Sequence, residues 1–369
     1  MGLNCGIVGL PNVGKSTLFS AMTAAPAEAA NYPFCTIDPN VGIVSVPDPR
    51  LRKISELIPP EKVIPATVEF VDIAGLVAGA SKGEGLGNRF LSHIREVGVI
   101  AHIVRCFDDP DVVHVSGGID PRRDIETINV ELALADLETV AKRRDKNEKT
   151  LKAAKTDAAK QAAAQQPLLD RLYDALQEGK PARSLELEED QLRLLQDLHL
   201  ITLKPQMYVC NVDEDGILQD NGYVETVRGI AAEEGAELVS ICGKLEAEIS
   251  LLETEEERLE FLEAAGLEES GMNRLIHTGY NMLGLRTFFT AGPDEDRAWT
   301  FHSGDTAPKA AGVIHTDFER GFIKAEVYHC EDLFTHGSEQ KVKVAGKLRI
   351  EGKEYVVKDG DIMHFKFNV

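Results

Sequence analysis

Long apolar runs are missing from this sequence of 369 residues, and no stretch approaches the eighteen or so residues that a membrane-spanning helix requires. The first residues lack the basic segment that opens a secretory signal peptide. Basic residues are also scarce, with 40 Lys and Arg against 61 Asp and Glu and a net charge of −21. Such an excess of acid opposes nucleic-acid binding over the whole surface. We expect a cytoplasmic protein that does not bind membranes.

Cysteine is also rare in this sequence. The six cysteines are scattered and form no Cys-x-x-Cys pair, which excludes a disulfide framework and a zinc cluster and is typical of a reduced compartment. What remains is an ordinary globular composition, 43% hydrophobic and 27% charged. At this length, the sequence favours two or three domains.

Short apolar runs alternate with helical stretches through much of the chain, a pattern that predicts an α/β domain whose parallel sheet is covered on both faces. The runs that predict strands are residues 3–8, 68–73, 98–107, 206–211 and 238–242.

Between the third and fourth of these runs, the pattern becomes helical. Ile125, Ile128 and Leu132 recur at helical spacing, and residues 125–199 predict a helical hairpin inserted into the α/β domain, interrupted at Pro167. Eight basic and three acidic residues fall within residues 142–160, a local excess of positive charge. That stretch is either the solvated face of a coiled coil or a docking surface for RNA or a ribosome.

From about residue 285 the helical character disappears, and the pattern predicts a small α+β domain. The predicted strands are residues 299–301, 321–328 and 347–350, with a short helix at 308–313. Two further runs, 354–357 and 362–367, flank an Asp-Gly turn and predict a β-hairpin.

Residues 9–17 read Gly-Leu-Pro-Asn-Val-Gly-Lys-Ser-Thr and match the phosphate-binding loop Gly-x-x-x-x-Gly-Lys-Ser/Thr, between a predicted strand and a predicted helix. The glycines let successive N–H groups face an anion, and the start of the helix adds its positive dipole end. Lys15 is expected to reach the β and γ phosphates, and the Ser16 hydroxyl to ligate Mg²⁺.

Two later segments complete the magnesium site of a nucleotide switch. The apolar run 68–73 ends in Asp-x-x-Gly, where Asp72 is expected to hold Mg²⁺ through water and the Gly75 N–H to face the γ-phosphate. Thr36, between the two motifs, is placed to supply a second hydroxyl to the ion. Loops of this kind are ordered by the γ-phosphate and released on hydrolysis.

The residues that contact the nucleotide base are expected directly after the strand 206–211. Guanine-specific switches carry the motif Asn-Lys-x-Asp at this point. Here Asn211 is followed by Val212, and the position of the final Asp holds Glu214. Asn211 can serve either base, and the Val212 carbonyl can accept a hydrogen bond from the adenine 6-amino group. A mismatched buried polar group costs about 1–3 kcal/mol, so these changes weaken strict GTP specificity without proving ATP.

Together these motifs resemble the Obg-like ATPases of the YchF family over essentially the whole chain. The resemblance implies a P-loop ATPase that also accepts GTP, requires Mg²⁺, binds ribosomes and acts in translation and stress responses. It also implies a helical coiled-coil insertion and a C-terminal TGS domain of ubiquitin-like β-grasp fold. The implied domains are residues 1–124 with 200–284, residues 125–199, and residues 285–369.

Roles for individual residues also follow from the resemblance. It places the bound nucleotide against phosphate-side and base-side residues and the metal against two hydroxyls. The implied phosphate contacts are Asn12, Val13, Gly14, Lys15, Ser16 and Thr17, with Ser16 and Thr36 on Mg²⁺ and Val212 on the base.

The catalytic group is less apparent, because Leu76 stands where many switches place the Gln that orients the attacking water. His114, in a Gly-containing loop, is the favoured replacement, with His93 as the second candidate and Lys15 as the other catalytic residue. Asn12 is a candidate ligand for K⁺ beside the phosphates. Next to Thr36, Cys35 is either a packed or an oxidation-sensitive thiol.

Two alternatives to the ATPase stay open. One is a nucleotide-gated adaptor that binds ribosomes or RNA through the helical insertion and the TGS domain, with incidental hydrolysis. The other is a true GTPase. The expected oligomeric state is a monomer.

Overall fold

A computed structural model describes residues 4–24, 40–73, 93–115, 117–153 and 157–368 of the chain. These residues divide into two compact units, each formed by two separate segments. Unit 1 is Met1–Gly42 with Glu69–Leu275, and unit 2 is Ile43–Val68 with Ile276–Val369. The three domains expected from the sequence stay a prediction.

The strands of the described chain are β1 (Asn4–Val8), β2 (Val41–Ser45), β3 (Lys62–Ile64), β4 (Thr67–Asp72), β5 (Val99–Arg105), β6 (Gln206–Asn211), β7 (Glu237–Ile241), β8 (Leu285–Thr290), β9 (Glu295–His302), β10 (Phe322–His329), β11 (Arg349–Glu351) and β12 (Asp361–Phe367).

The α-helices are α1 (Lys15–Ala24), α2 (Pro49–Leu57), α3 (Pro121–Ala153), α4 (Asp157–Gln177), α5 (Glu189–Leu195), α6 (Glu214–Leu218), α7 (Gly222–Glu234), α8 (Gly243–Ile249), α9 (Glu255–Ala264), α10 (Gly271–Met282), α11 (Ala307–Ile314), α12 (Thr316–Arg320), α13 (Cys330–His336) and α14 (Glu339–Val344). Residues 93–96 are also helical, and short 3₁₀ turns occur at Ala182–Ser184, Gln196–Leu198 and Ile201–Leu203.

A six-stranded sheet in the order β2-β4-β1-β5-β6-β7 carries the first half of the fold. The pairings of β1 with β4 and β5, of β5 with β6 and of β6 with β7 are parallel. Every residue of β5 and β6 is buried, as expected when helices cover both faces of a sheet. The parallel α/β sheet expected from the alternating apolar runs is confirmed.

Helices α3 and α4 lie between β5 and β6 in the chain and pack along each other. Ala133 and Val140 of α3 share a buried apolar cluster with four leucines of α4. Farther along the pair, the buried Asn147 amide donates to Gln165 Oε1 at 3.1 Å, and Gln165 Nε2 donates to the Leu194 carbonyl at 2.7 Å. A satisfied buried polar pair tolerates few alternative alignments, so this contact fixes the register of the hairpin.

The helix break expected at Pro167 is wrong, because α4 runs through this residue. Proline inside a helix removes one backbone hydrogen bond and costs about 3 kcal/mol. Leu168, Leu169 and Leu172 directly follow it and are buried against α3. At about 1.5–3 kcal/mol for each buried leucine, their packing outweighs the cost of the proline.

Unit 2 contains a mixed sheet in the order β11-β10-β12-β8-β9-β3. Its edge strand β3 comes from the early segment of the chain and pairs parallel with β9. Helices α2 and α11 pack on this sheet's strands, and the core is rich in phenylalanine and alanine.

The β-hairpin expected around Asp359-Gly360 is wrong. Residues 354–357 make only an isolated bridge from Val356 to Thr306, while β12 pairs with β10 and β8. The Asp361 carboxylate accepts hydrogen bonds from the Lys358 N–H and the Tyr355 hydroxyl. These bonds close a loop over residues 355–361 at the start of β12, and the Asp-Gly pair lies within this loop instead of joining paired strands.

Buried in the unit 1 sheet, His102 gives the first testable prediction. Burial, and secondarily Arg183, lowers the pKa of His102 to about 3. The unfolded chain, where the pKa is about 6.5, therefore binds a proton that the folded chain does not. Above pH 6.5, His102 does not reduce the free energy of unfolding. As the pH is lowered below 6.5, protonation of His102 in the unfolded chain reduces the free energy of unfolding by up to about 1.4 kcal/mol per pH unit.

We therefore expect His102→Phe, whose ring cannot titrate, to flatten the pH dependence of the free energy of unfolding between pH 6 and 4. Urea unfolding at several pH values measures this slope. The same change at the exposed His93 should leave the slope as in the parent protein, and an equal slope for His102→Phe would contradict the prediction.

No helix within the described ranges combines the length and the apolar character needed to cross a membrane.

Candidate nucleotide site

The phosphate-loop sequence lies in a tight connection between β1 and α1. Asn12 has a φ of 63° and Gly14 a φ of 92°, both left-handed, and a Cβ on Gly14 would lie 2.1 Å from Asn211 Nδ2. Only glycine fits such a position, because it combines a left-handed backbone with direct contact to a neighbouring side chain. The loop therefore has the strand, turn and helix context that its sequence requires for anion binding.

A cleft of about 1130 Å³ lies beside this loop within unit 1. Its walls come from the phosphate loop, from the segments that follow β5 and β6, and from α8. The lining residues are Gly9, Leu10, Pro11, Asn12, Gly14, Lys15, Ser16, Thr17, Phe107, Asp108, Asp109, Val112, Asn211, Val212, Asp213, Glu214, Asp215, Cys242, Gly243, Lys244, Ala247, Glu248 and Leu251. Carboxyl ends of adjacent parallel strands meet here, which is where open α/β sheets bind ligands.

Lys15 and Asp72 lie together at the phosphate end. The Lys15 ammonium is 3.1 Å from Asp72 Oδ1, and both side chains are largely buried, at 13% and 14% exposed. The last residue of β4 is thereby brought to the start of α1, next to the exposed Ser16. Thr36 and Gly75 lie outside the described residues.

Magnesium prefers oxygen ligands and keeps several waters when it binds a nucleotide. The Asp72 carboxylate, which contacts Lys15, and the exposed Ser16 hydroxyl in the first turn of α1 are oxygen groups of that kind. No group of three or more His, Cys, Asp or Glu side chains suited to a metal occurs in the part of the chain that the structure describes.

Asn211 joins the phosphate loop to the far side of the cleft. Its Nδ2 donates to the Val13 carbonyl at 2.9 Å, and its Oδ1 accepts from the Gly243 N–H at 3.0 Å. The residue is 4% exposed, so both bonds are shielded from water. Asn211 thus holds the loop and the start of α8 at a fixed separation, and Val13 serves the site through its backbone.

Glu214 forms an ion pair at the opposite end. Its Oε1 lies 2.6 Å from Lys244 Nζ, and the side chains are 53% and 71% exposed on the cleft wall. Val212 is 2% exposed with its side chain in the core, and its N–H donates to the Ile241 carbonyl at 2.9 Å. The predicted base-side residues lie together, and Lys244 joins them.

Arg105 organises a wall of the cleft that was not predicted from the sequence. Its guanidinium is 1% exposed and donates to the carbonyls of Phe107, Asp109 and Val112 at 2.8–3.1 Å. These residues directly follow β5, which lies between β1 and β6 in the sheet. Their place after a central strand was the available signal, since ligand sites form at that edge.

His114 follows this wall but does not line the cleft. It is 8% exposed, and its Nε2 lies 2.9 Å from Asp124 Oδ2 at the start of α3. Asn12 connects the phosphate loop to the same segment, because its Nδ2 donates to the Val113 carbonyl at 3.1 Å. His93 is exposed, while Cys35 and Leu76 lie outside the described residues.

Comparison with known proteins gives full-length matches. Residues 4–159 match a family described as "50S ribosome-binding GTPase", and residues 285–368 match YchF-GTPase_C, described as "Protein of unknown function (DUF933)". The chain is 56% identical to the ribosome-binding ATPase YchF of Bacillus subtilis and 54% identical to that of Haemophilus influenzae, over the whole length of each. The solved YchF GTPase of Schizosaccharomyces pombe is similar with a TM-score of 0.88 and 40% identity, covering 99% of this chain and 98% of that one.

Proposed function

The chain belongs to the YchF family, and on that premise we propose that it is a ribosome-binding, magnesium-dependent ATPase that also accepts GTP. The observation that carries the proposal is the cleft with Lys15 and Asp72 at one end and the Asn211 bridge toward the other. A triphosphate laid along it would have its phosphates on residues 9–17 and its base beside residues 211–215 and 242–244.

Each group has a distinct task in this proposal. Backbone amides of residues 12–17 and the Lys15 ammonium bind and orient the phosphates. Ser16 and Thr36 would hold Mg²⁺, with Asp72 acting through water and the Gly75 N–H facing the γ-phosphate. When bound, the ion neutralises charge on the β and γ phosphates. Asn211 and the Val212 carbonyl position the base.

His114 is proposed as the group that positions the attacking water. In the described conformation it is held by Asp124, so catalysis requires the segment to move toward the phosphates. We expect His114→Ala to lower the rate of ATP hydrolysis at least about tenfold and to leave ATP affinity within about twofold. Single-turnover phosphate release and equilibrium binding measure the two quantities.

If His114→Ala lowered the ATP affinity as much as the rate of hydrolysis, His114 would be a binding residue and not a catalytic one. His93→Ala is the matched variant, because it removes the second candidate imidazole. We expect it to keep the parent rate, and a large loss there would transfer the role to His93.

Asn12 supports a second expectation, that K⁺ binds beside the phosphates and supplies positive charge in the transition state. Its side chain already contacts the neighbouring loop at the Val113 carbonyl. We expect faster ATP hydrolysis in potassium chloride than in sodium chloride at the same ionic strength. Equal rates in the two salts would remove K⁺ from the proposal.

Ribosome binding is proposed to use the helical insertion and the C-terminal TGS domain. On α3, Arg143 and Arg144 are paired with acids of neighbouring helical segments, whereas Lys146, Lys149 and Lys152 are exposed. Exposed lysines along one helix suit contact with phosphate groups of ribosomal RNA. The protein is proposed to act as a cytoplasmic monomer.

The test of the function is phosphate release from ATP and from GTP, with and without Mg²⁺, in the presence and absence of ribosomes. Co-sedimentation with ribosomes is measured in parallel with ADP and with a non-hydrolysable ATP analogue. We expect hydrolysis to require Mg²⁺ and ribosome binding to differ between the two nucleotides. Equal binding in both states with negligible hydrolysis would favour the adaptor, and hydrolysis confined to GTP would favour the GTPase.

A further inference from the structure

By resemblance to the YchF family, residues 240–246 occupy the place of the last base-side loop, but no task was expected for the Lys244 side chain. Among the described residues, Lys244 is one of two basic residues that line the cleft. The other is Lys15 at the phosphate end, while the lining includes six Asp and Glu side chains. Lys244 lies at the start of α8, directly after Gly243, whose N–H is bound by Asn211. It therefore stands at the end of the cleft where the proposed site receives the base.

The partner of Lys244 is Glu214, the side chain on which the proposed recognition of the base depends. The Lys244 ammonium lies 2.6 Å from Glu214 Oε1, and attraction to Glu214 raises the pKa of Lys244. The adjacent Asp213 carboxylate is already used, because it accepts the Gly216 N–H at 2.8 Å as the cap of α6. Glu214 and Lys244 are therefore a pair of opposite charges on the wall that faces the base.

The hydrogen-bonding edges of the two bases differ at this point. Guanine presents two donors, N1–H and the 2-amino group, which a carboxylate accepts, and an acceptor at O6. Adenine presents an acceptor at N1 beside a donor at its 6-amino group, so a lone carboxylate would face one acceptor with another. Discrimination between such edges is strong when the mismatched groups are buried by the ligand.

An ammonium changes this preference, because it carries three donors and no acceptor. One N–H of Lys244 engages Glu214, and the other two are available to the adenine N1, while the second Glu214 oxygen can accept from the 6-amino group. The pair then offers one donor and one acceptor, which complements the N1 and 6-amino edge of adenine. Guanine can still be bound through its O6 acceptor and N1–H donor, so the pair removes the repulsion between a lone carboxylate and adenine without excluding guanine.

We propose that Lys244 is a base-selectivity residue, which acts by pairing with Glu214 and converting an acceptor that favours guanine into a donor and acceptor pair that admits adenine. The proposal rests on the proposed nucleotide site and adds a determinant to it.

The experiment measures dissociation constants for non-hydrolysable ATP and GTP analogues by calorimetry on the full chain. For Lys244→Ala we expect the ratio of ATP to GTP affinity to shift about tenfold toward GTP, since Glu214 is then free to accept from guanine. Lys244→Arg keeps a cation with several donors and should keep the ratio within about threefold. Lys353→Ala, at an exposed lysine of unit 2, is the control and should match the parent.

A double variant tests the mechanism. Glu214→Gln removes the charge that Lys244 neutralises, so adding Lys244→Ala in that background should shift the ratio by less than about twofold. An unchanged ratio in Lys244→Ala would overturn the proposal, as would an equal loss of both nucleotides, which would make Lys244 a ribose or phosphate contact. If the parent protein binds neither analogue, the proposed function itself fails, and that result is distinct from tight binding with an unaltered ratio.

Discussion

Lys15→Ala is expected to abolish useful nucleotide binding, with a loss of roughly a hundredfold or more in ATP affinity. Of the described residues at the phosphate end of the cleft, Lys15 supplies the one positive side chain. Its removal also leaves Asp72, 14% exposed, without the ammonium that lies 3.1 Å from it. Equilibrium titration with a fluorescent ATP analogue, with and without Mg²⁺, measures the effect.

Lys353→Ala makes the same chemical change at an exposed position of unit 2 and serves as the control. Circular dichroism of both variants separates a binding defect from unfolding. ATP affinity within twofold of the parent in a folded Lys15→Ala protein would contradict the nucleotide site, and with it the proposed function.

Asp136→Ala is expected to produce the largest loss of stability. Asp136 of α3 is fully buried and accepts the N–H groups of Ile201 and Thr202 and the Thr202 hydroxyl at 2.7–3.0 Å. Burial raises the pKa of this carboxyl, while the donated hydrogen bonds and the charge of Arg95, 3.7 Å away, oppose the rise. Alanine would strand three donors and remove the partner of Arg95.

Each stranded donor costs about 1–3 kcal/mol, so we expect the free energy of unfolding to fall by roughly 3–5 kcal/mol. That is a large part of the 5–15 kcal/mol typical of a domain. Urea unfolding followed by circular dichroism measures it. Asp145→Ala, on an exposed face of the same helix, is the matched control and should change stability by less than about 0.5 kcal/mol. A similarly small change in Asp136→Ala would contradict the stabilising role given to the buried Asp136 carboxylate.

Features built from neighbouring residues were the ones that the sequence predicted well. The strand predicted at residues 3–8 ends at Val8, and the helix predicted after the phosphate loop begins at Lys15. Strand, turn and helix each leave a local signal there in apolar pattern, glycine and spacing. The chemical roles given to the loop residues stay predictions.

Features that depend on distant partners were not predicted. Pro167 signals a break locally, but leucines packed against another helix determine the outcome. The Asp-Gly turn signals a hairpin, but a strand from residues 322–329 takes the pairing position. Lys244 and Glu214 are thirty residues apart in the chain, and the sequence gives no signal that these two side chains form an ion pair.

The edge strand β3 of unit 2 has a consequence for synthesis of the protein. Its partner β9 begins at residue 295, more than 200 residues after β3 ends at Ile64. At about 5–20 residues added per second, the early segment emerges roughly 10–50 s before its neighbour exists. During that interval the amphipathic α2 and the unpaired β3 are open to chaperones and to wrong partners, so shortened chains that stop before residue 295 should aggregate or be degraded.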